Sequence, residues 1–440
     1  MEIGIIGGGL MGAALAYYLA QGGHAVTLLE QAPDLGGLNS GLNLDDGLTI
    51  PRYPHAILPD DRQVRGLYAA LGLESDLVFA PVRTGFVHNG VLRGMSTLGS
   101  FLAFAPLRPL DRLRLGRTAA AALRTHDWAA LDAVPARDWL VRLGGPQVFE
   151  NIWAPLLEAK FDGAYREIPA TYVWSWLRRM TAARRLPWLQ VSAAVPRRGC
   201  GALIAALAAA VQARGGQIMT NARVREIEIG QRAFQQVRTH SAVLRFDAVV
   251  AAMPTSDFAR LIPGADEFYL ASLARSRYLG LICPVLVLDR PLSPYWMLNL
   301  TDPSSPFSSI VELPHPLDAR GRVVYLPKFT APDSDWMGVS DADIRDAWLL
   351  RLRQIFPDLR PAHVRHFVVS RARYAEPVHF LNAADTLISV QTPYDGVYLA
   401  NTSQVYPDLP TSNAVIAHAQ RVAQMVARQQ QPSLARTAAA

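Results

Sequence analysis

The chain has 440 residues, half of them apolar, and a formal net charge of +6 from 43 basic and 37 acidic residues. This length favours two joined lobes with a hydrophobic core, and the basic residues are too dispersed to support nucleic-acid binding. The two cysteines, Cys200 and Cys283, lack Cys-x-x-Cys spacing, which argues against a disulfide framework, a zinc site and an iron–sulfur centre. We predict two buried thiols and no bound metal.

No apolar run is long enough to span a bilayer, since the longest extends only from Ala202 to Val211. The first residues enter a strand pattern with no basic region before them, which argues against a secretory signal. We therefore expect a cytoplasmic protein. Its oligomeric state is not indicated by the sequence.

The amino-terminal segment follows a strand–helix–strand pattern. Glu2 to Gly7 and Ala25 to Glu30 are predicted strands, and Gly9 to Gln21 is a predicted helix rich in small residues. The first turn carries the pattern G-x-G-x-x-G at residues 7–12, whose glycines allow a tight turn, close approach of a pyrophosphate and close helix–strand packing. Glu30 ends the second strand, where a carboxylate accepts the hydroxyls of an adenosine ribose. These residues predict dinucleotide binding but do not separate NAD from FAD.

The next stretch, Gln31 to Leu38, favours FAD. It resembles the extension of this fingerprint in the FAD-containing amine oxidase superfamily, which includes monoamine oxidases, protoporphyrinogen oxidases and phytoene desaturases. In that superfamily the paired glycines, here Gly36 and Gly37, pass close to the FAD pyrophosphate. The following residue is often Arg or Lys, whereas this chain has Leu38.

Three later segments resemble the superfamily in the same order. They are a returning element that places Val224 at the adenine, a strand that ends the FAD domain at Pro254, and a final segment from Gly396 to Ala414 that reaches the isoalloxazine ring. No cysteine follows Cys283, so the resemblance implies a non-covalent FAD. The predicted FAD contacts are Gly7, Gly9, Leu10, Met11, Gly12, Glu30, Gln31, Gly36, Gly37, Leu38, Tyr53, Pro54, His55, Val224, Pro254, Asn401, Thr411, Ser412, Asn413 and Ala414.

The resemblance also implies an α/β fold with two interleaved domains. A Rossmann-like FAD-binding domain takes residues 1–61, 191–255 and 376–427, and an α+β substrate domain takes residues 62–190 and 256–375. We expect a disordered tail over residues 428–440. Within the substrate domain, Arg83 to Arg93 is a predicted hairpin with Asn89-Gly90 at its turn, and Ala136 to Leu143 and Ile344 to Phe356 are predicted helices.

Two candidate catalytic residues come from distinctive tracts. His55 follows Arg52-Tyr53-Pro54 in the stretch that passes the flavin ring in the family, and it can orient substrate or move a proton; the alternative is a structural histidine. Lys160 lies in the tract from Trp153 to Phe161, where it either binds an anionic substrate group or keeps a buried stem and solvated head. Cys283 aligns with the lysine of many amine oxidases, which disfavours amine oxidation.

We therefore predict an FAD-dependent oxidoreductase that abstracts hydride from a bulky, largely apolar small-molecule substrate. One alternative is a non-redox flavoenzyme resembling UDP-galactopyranose mutase, which needs arginines converging on a diphosphate. The other is a catalytically silent FAD-binding protein. The candidate arginines for the mutase are Arg179, Arg184, Arg185 and Arg373.

Residues 98–123 mix apolar and basic side chains in a composition typical of an interfacial membrane anchor. The apolar members are Phe101, Leu102, Phe104, Leu107 and Leu110, and the basic members are Arg108, Arg112, Arg114 and Arg117. In the alternative, the leucines pack the substrate domain and the arginines are solvated. The prediction is peripheral membrane contact through this segment.

Overall fold

The structure is a computed structural model that describes residues 1–182, 191–229, 234–313 and 321–429. The strands are β1 Glu2–Ile6, β2 Ala25–Leu29, β3 Gly41–Asn43, β4 Thr49–Pro51, β5 Phe79–Pro81, β6 Thr84–His88, β7 Val91–Gly94, β8 Ser192–Ala194, β9 Gln217–Met219, β10 Val224–Glu228, β11 Gln235–Thr239, β12 Val243–Phe246, β13 Ala248–Ala251, β14 Arg277–Leu288, β15 Met297–Leu300, β16 Ser309–Glu312, β17 Arg322–Tyr325, β18 Lys328–Thr330, β19 Val364–Val378 and β20 Val397–Leu399. The α-helices are α1 Leu10–Gln21, α2 Arg62–Ala70, α3 Leu98–Leu102, α4 Pro109–Arg124, α5 Ala129–Asp132, α6 Ala136–Gly144, α7 Pro146–Val148, α8 Ala154–Phe161, α9 Ala170–Ala182, α10 Gly201–Gln212, α11 Thr255–Leu261, α12 Glu267–Ala274, α13 Asp341–Ile355 and α14 Ser412–Gln429.

A parallel sheet in the order β20-β13-β1-β2-β9 holds the amino-terminal fingerprint. Successive side chains of a strand point to opposite faces, so each strand of this sheet serves two cores. Ile3 and Ile5 of β1 pack with helices α1, α10 and α14, whereas Ile6 packs on the other face, with β10 and α11. Both faces are covered, which explains the nearly continuous apolar sequence of these strands.

A second sheet, in the order β18-β14-β17-β16-β15-β6-β7, has β19 paired along β14. Helix α13 packs against one part of it, and helices α4 to α9 form an adjacent core with residues of β6, β14 and β19. The predicted hairpin is confirmed as β6 and β7, and Asn89 and Gly90 both take positive φ (49° and 74°) at its turn. The α/β class with a second α+β unit is likewise confirmed.

Several predicted boundaries were wrong. The strand predicted to end at Gly7 ends at Ile6, and the helix predicted from Ile344 to Phe356 extends from Asp341 to Ile355. Helix α14 continues to Gln429, two residues into the predicted tail, and residues 430–440 lie outside the described residues. The boundaries between the two lobes stay a prediction.

No helix in the described part of the chain is both long and apolar enough to cross a bilayer. The longest predicted apolar run, Ala202 to Val211, lies within α10, which packs on α1.

Candidate functional site

Glycines form an open cradle where β1 meets α1. A Cβ on Gly12 would lie 1.8 Å from the carbonyl oxygen of Gly7, so a side chain there is excluded by helix–strand packing. Gly7 has a φ of 108°, which favours glycine. Gly9, in contrast, has no heavy atom within 4 Å of a built Cβ, and it begins α1 without a side-chain cap. The backbone therefore leaves space for an anion at the helix N-terminus.

The second glycine pair closes the cradle from the other side. Gly36 (φ 127°) forms a parallel bridge with Gly9, and its N–H donates to the Gly8 carbonyl over 2.8 Å. A Cβ on Gly37 would lie 3.3 Å from the Gly9 Cα. The two glycine segments predicted to contact FAD thus lie at one place, although Leu38 supplies no charge there.

Glu30 lies at the end of β2 beside this cradle. Its carboxylate accepts from Gly8 N–H (2.6 Å) and Ala32 N–H (2.8 Å), so it orders the glycine turn. The backbone of Glu30 also pairs with Met219 and Ala222, which brings the segment before Val224 alongside. The structure therefore brings together the predicted pyrophosphate, ribose and adenine segments.

Asn401 joins two of the later predicted segments. Its amide donates to the Met253 carbonyl (3.0 Å) next to Pro254, and its oxygen accepts from the N–H and hydroxyl of Ser403. The side chain is almost fully buried and serves protein partners. Its predicted contact with FAD stays a prediction.

The start of α14 carries the last predicted cofactor residues. Asn413 accepts from Gln63 N–H (2.8 Å) and Val64 N–H (3.3 Å), so it caps α2 across the fold. Thr411 accepts weakly from Ala414 N–H (3.4 Å) within its own helix start. Thr411 also lines the cleft described next.

A cleft of about 320 Å³ opens between helices α8 and α9, strands β15, β16 and β18, and the segment before α14. Its walls are mostly aromatic and aliphatic. The lining residues that matter here are Trp153, Lys160, Tyr172, Trp176, Phe329, Glu376 and Thr411.

Lys160 enters this cleft, as one of its two predicted roles requires. Its ammonium group forms an ion pair with Glu376 and lies 3.5 Å from the centroid of the Phe329 ring. Each partner of the pair is 20% exposed. The lysine charge is thus already compensated by the protein, and its catalytic role stays a prediction.

A family model for flavin containing amine oxidoreductases matches residues 12–427. The chain belongs to this family. A flavin cofactor and an oxidoreductase activity follow from membership of the flavin-containing amine oxidoreductases, so both coarse predictions are confirmed.

Three similar proteins illustrate the range of the family. A 15-cis-phytoene desaturase from Solanum lycopersicum is 23% identical over 395 residues, which cover 81% of this chain but only 65% of that relative. The carotenoid phi-ring synthase from Streptomyces griseus is 26% identical over 403 residues, covering 82% of this chain and 75% of the relative. A solved structure from Exiguobacterium sp. 255-15, provisionally named a protoporphyrinogen oxidase, aligns with a TM-score of 0.77 at 19% identity over 98% of this chain and 99% of that chain. The structural likeness confirms the predicted fold.

The cradle of this flavin-containing amine oxidoreductase fits a dinucleotide. The open space at Gly9 and the uncapped first turn of α1 suit a pyrophosphate, and Glu30 offers the only side-chain charge that bonds to the described cradle glycines. Helix N-termini attract anions because their N–H groups lack partners and the helix dipole is positive there. The residues present therefore fit the group that the family implies.

His55 lies apart from the cleft. Its Nε2 donates to the Leu38 carbonyl over 2.9 Å, one residue beyond the second glycine pair, and it is absent from the described cleft lining. Burial lowers the pKa of His55, and the bond to Leu38 offsets this in part, so the ring is neutral at pH 7. Tyr53 is buried in a nearby apolar cluster with Cys283.

We expect the substitution His55→Gln to leave flavin content near normal, since glutamine can still donate to the Leu38 carbonyl. Flavin reduction should slow roughly 10- to 100-fold if the imidazole orients the reacting groups. Stopped-flow absorbance of the bound flavin measures this rate. An unchanged rate would assign His55 to holding Leu38 alone.

Cys283, at the position of the amine oxidase lysine, is fully buried on β14. Burial raises the pKa of this thiol well above its usual range, and a hydrogen bond involving the Leu326 backbone offsets only part of that effect. The thiol is therefore neutral and offers no cation or base. Both cysteines are free and buried, as predicted.

The arginines expected for a mutase do not converge among the described residues. Arg179 is bound to the buried Asp61, with one bond of 2.8 Å, and Arg373 is exposed beside Tyr374. Arg184 and Arg185 lie outside the described residues. The mutase alternative requires arginines that converge on a diphosphate, and the described residues do not show this arrangement.

The sequence did not single out Glu376. It lies near the end of β19 opposite Leu279, in a strand whose pattern carries several charged and aromatic residues. The only signal was a lone carboxylate before Pro377 in a strand that otherwise contains basic residues, and this does not indicate a cleft. The ion pair with Lys160 in the structure identifies Glu376 as a residue of the cleft.

Proposed function

We propose that this protein is an FAD-dependent dehydrogenase of a bulky, uncharged and largely apolar substrate, and that it binds FAD non-covalently. The observation that carries the proposal is the cleft beside the start of α14, whose walls are mainly apolar. The phytoene desaturases among the similar proteins agree with this substrate class.

The charge balance of the cleft supports an uncharged substrate. Lys160 and Glu376 are the charged residues of its described lining, and they neutralise each other. An anionic substrate would have to separate this pair, which leaves a half-buried carboxylate without its partner. A neutral apolar substrate instead gains from the aromatic walls formed by Trp153, Trp176 and Phe329.

In this proposal, one set of segments binds FAD and another set binds the substrate. Residues 1–61, 191–255 and 376–427 would hold FAD, with the pyrophosphate at Gly9 and the ribose at Glu30, and residues 62–190 and 256–375 would hold the substrate. Thr411 belongs to the first set and lines the cleft of the second, which supports a reacting centre at that junction. Acid or heat should release FAD, and flavin that stays attached would contradict the non-covalent binding.

When bound, FAD supplies a two-electron acceptor for hydride. The chain contributes the other parts of the reaction: the aromatic walls bind substrate and exclude water, and the Lys160–Glu376 pair provides the polar groups of the cleft. The helix N-terminus at Thr411 to Asn413 favours negative charge that develops beside it. Amine oxidation is disfavoured because Cys283 is buried and neutral.

The deciding experiment is anaerobic mixing of the purified flavoprotein with phytoene, protoporphyrinogen IX and putrescine in turn. Loss of the absorption band of oxidised flavin with phytoene, and none with putrescine or with the dianionic protoporphyrinogen IX, is the expected result. Bleaching by protoporphyrinogen IX would overturn the proposal that the substrate is uncharged. Bleaching by putrescine alone would overturn the apolar substrate class. No bleaching by any of the three would favour the silent binder, and turnover of a sugar nucleotide only after prior reduction would favour the mutase.

We also propose peripheral membrane contact, with a different set of residues from that expected. Phe104 and Leu107 are only 2% exposed and pack in the core of helices α4 to α9, so their predicted lipid contact was wrong. Leu102, Leu110 and Leu113 are 53%, 57% and 69% exposed on α3 and α4. Exposed Arg108 and Arg117 lie in the same segment, which suits anionic headgroups.

Flotation with anionic liposomes tests the membrane contact. We expect binding at low salt, weaker binding at high salt because salt screens the arginines, and loss of binding in the variant L110S/L113S. The variant V91S removes a different exposed apolar residue and is the matched control. No flotation of the wild type at low salt would contradict the proposal.

A further inference from the structure

Glu376 lies between two cavities. It lines the cleft, and it also lines a second, much smaller cavity whose walls include Tyr172, His379, Tyr406 and Asp408. Tyr172 is shared by both cavities as well. The carboxylate therefore lines the substrate space on one side and a separate small cavity, which also contains His379 and Asp408, on the other.

The second cavity leads toward solvent. Asp408 is exposed at one part of its wall, while His379 lies deeper and bonds through Nε2 to the Ser403 carbonyl over 2.9 Å. That bond makes Nε2 the donor and leaves Nδ1 as the acceptor nitrogen of a neutral ring. The residue His379 thus adds a second proton-accepting group to the cavity that Glu376 and the exposed Asp408 also line.

We propose that Glu376 is the catalytic residue that accepts the substrate proton during dehydrogenation, and that this proton leaves through the second cavity past His379. The inference rests on the proposed function. Glu376 is the only carboxylate in the described lining of the cleft, and it is held in place by Lys160.

In the proposed reaction, a saturated C–C bond of the substrate becomes a double bond. One carbon gives up hydride, with both electrons of its C–H bond, to the oxidised flavin. The neighbouring carbon gives up a proton, which forms an O–H bond with Glu376, and the electrons of that second C–H bond become the new π bond. The substrate is oxidised by two electrons, and a carboxylate suffices as base because loss of hydride makes the neighbouring C–H strongly acidic.

The test compares the anaerobic rate of flavin bleaching in wild type, E376Q, E376D and E158Q holoenzymes. The substrate is phytoene, the uncharged apolar compound of the three. We expect E376Q to be about 100-fold slower or more, as loss of a general base requires, and E376D to recover part of the rate. E158Q changes an exposed carboxylate on the same helix as Lys160 and should keep the full rate.

Two further measurements separate proton transfer from structural damage. Quenching of tryptophan fluorescence by the same substrate should give dissociation constants in E376Q within about twofold of wild type. The double variant K160M/E376Q leaves no unpaired charge and should be as slow as E376Q. A rate in either variant within about threefold of wild type would overturn the role of Glu376.

The path by which the proton leaves Glu376 can be tested without catalytic turnover. In flavin-free protein, subtracting the infrared spectrum of E376Q from that of wild type isolates the band of the Glu376 carboxyl group. When the folded protein is mixed with acidic D₂O, the deuterated form of this band should appear at once. Exchange only on unfolding would overturn the second cavity as the path. If no substrate bleaches the wild type, the proposed function fails and this inference fails with it; if the wild type bleaches and E376Q does too, only the inference fails.

Discussion

Replacing Gly9 by alanine should weaken flavin binding while leaving the protein folded. The backbone at Gly9 has a φ of −69°, which any residue adopts, and a Cβ there meets no protein atom within 4 Å. The added methyl group would instead enter the space that suits the pyrophosphate. Crowding of this kind costs about 1–3 kcal/mol, which corresponds to roughly 5- to 150-fold weaker binding.

Gly12→Ala provides the contrasting result. Its Cβ would lie 1.8 Å from the Gly7 carbonyl oxygen, a backbone atom that cannot move without separating α1 from β1. We expect a loss of stability of about 3 kcal/mol or more in this variant, with or without flavin. The two glycines of one motif thus have separable tasks, one for the ligand and one for the fold.

Flavin titration of the apoprotein and urea unfolding measure the two effects. Gly66→Ala is the matched control, because Gly66 lies within α2 and also has open space at its Cβ. It should bind flavin normally and gain about 0.5–1 kcal/mol of helix stability. Wild-type flavin affinity in Gly9→Ala would show that the cradle does not hold the pyrophosphate at this glycine.

The amino-terminal fold could be predicted because its constraints are local. Short buried strands, glycines at fixed spacing and a terminal carboxylate all lie within one βαβ unit, so the sequence pattern indicates the contacts directly. Glu30 shows the limit of this argument. Its position was predicted, but its bonds to Gly8 and Ala32 depend on a turn geometry that spacing does not specify.

The cleft could not be predicted, because its parts come from distant segments. Lys160 and Glu376 are 216 residues apart, and only the packing of α8 against the sheet brings them together. Asn413 was predicted as a flavin contact, yet its side chain caps α2, a task that no local pattern reveals. Phe104 and Leu107 likewise look exposed in a basic segment, but tertiary packing buries them.

Replacing Asp61 by alanine should cost about 3–5 kcal/mol of stability, the range for breaking a buried ion pair. Asp61 is 5% exposed at the start of α2 and accepts from Leu58 N–H over 2.7 Å. Arg179 of α9 donates to both of its carboxylate oxygens. Removing the carboxylate leaves the arginine and the Leu58 N–H without this partner. The stability is lost because these groups are shielded from water and are not compensated by another hydrogen bond.

The neighbouring Asp60→Ala is the matched control, since Asp60 is exposed, and its stability should change by no more than about 0.5 kcal/mol. A double-mutant cycle of D61A with R179A, followed by urea unfolding, isolates the pair energy. We expect the double variant to be less destabilised than the sum of the single variants. Because Arg179 is engaged in this pair, R179A should also leave the substrate preference unchanged. A D61A variant as stable as D60A would contradict the ion pair. Arg179 would then be available to bind a diphosphate, as the mutase alternative requires.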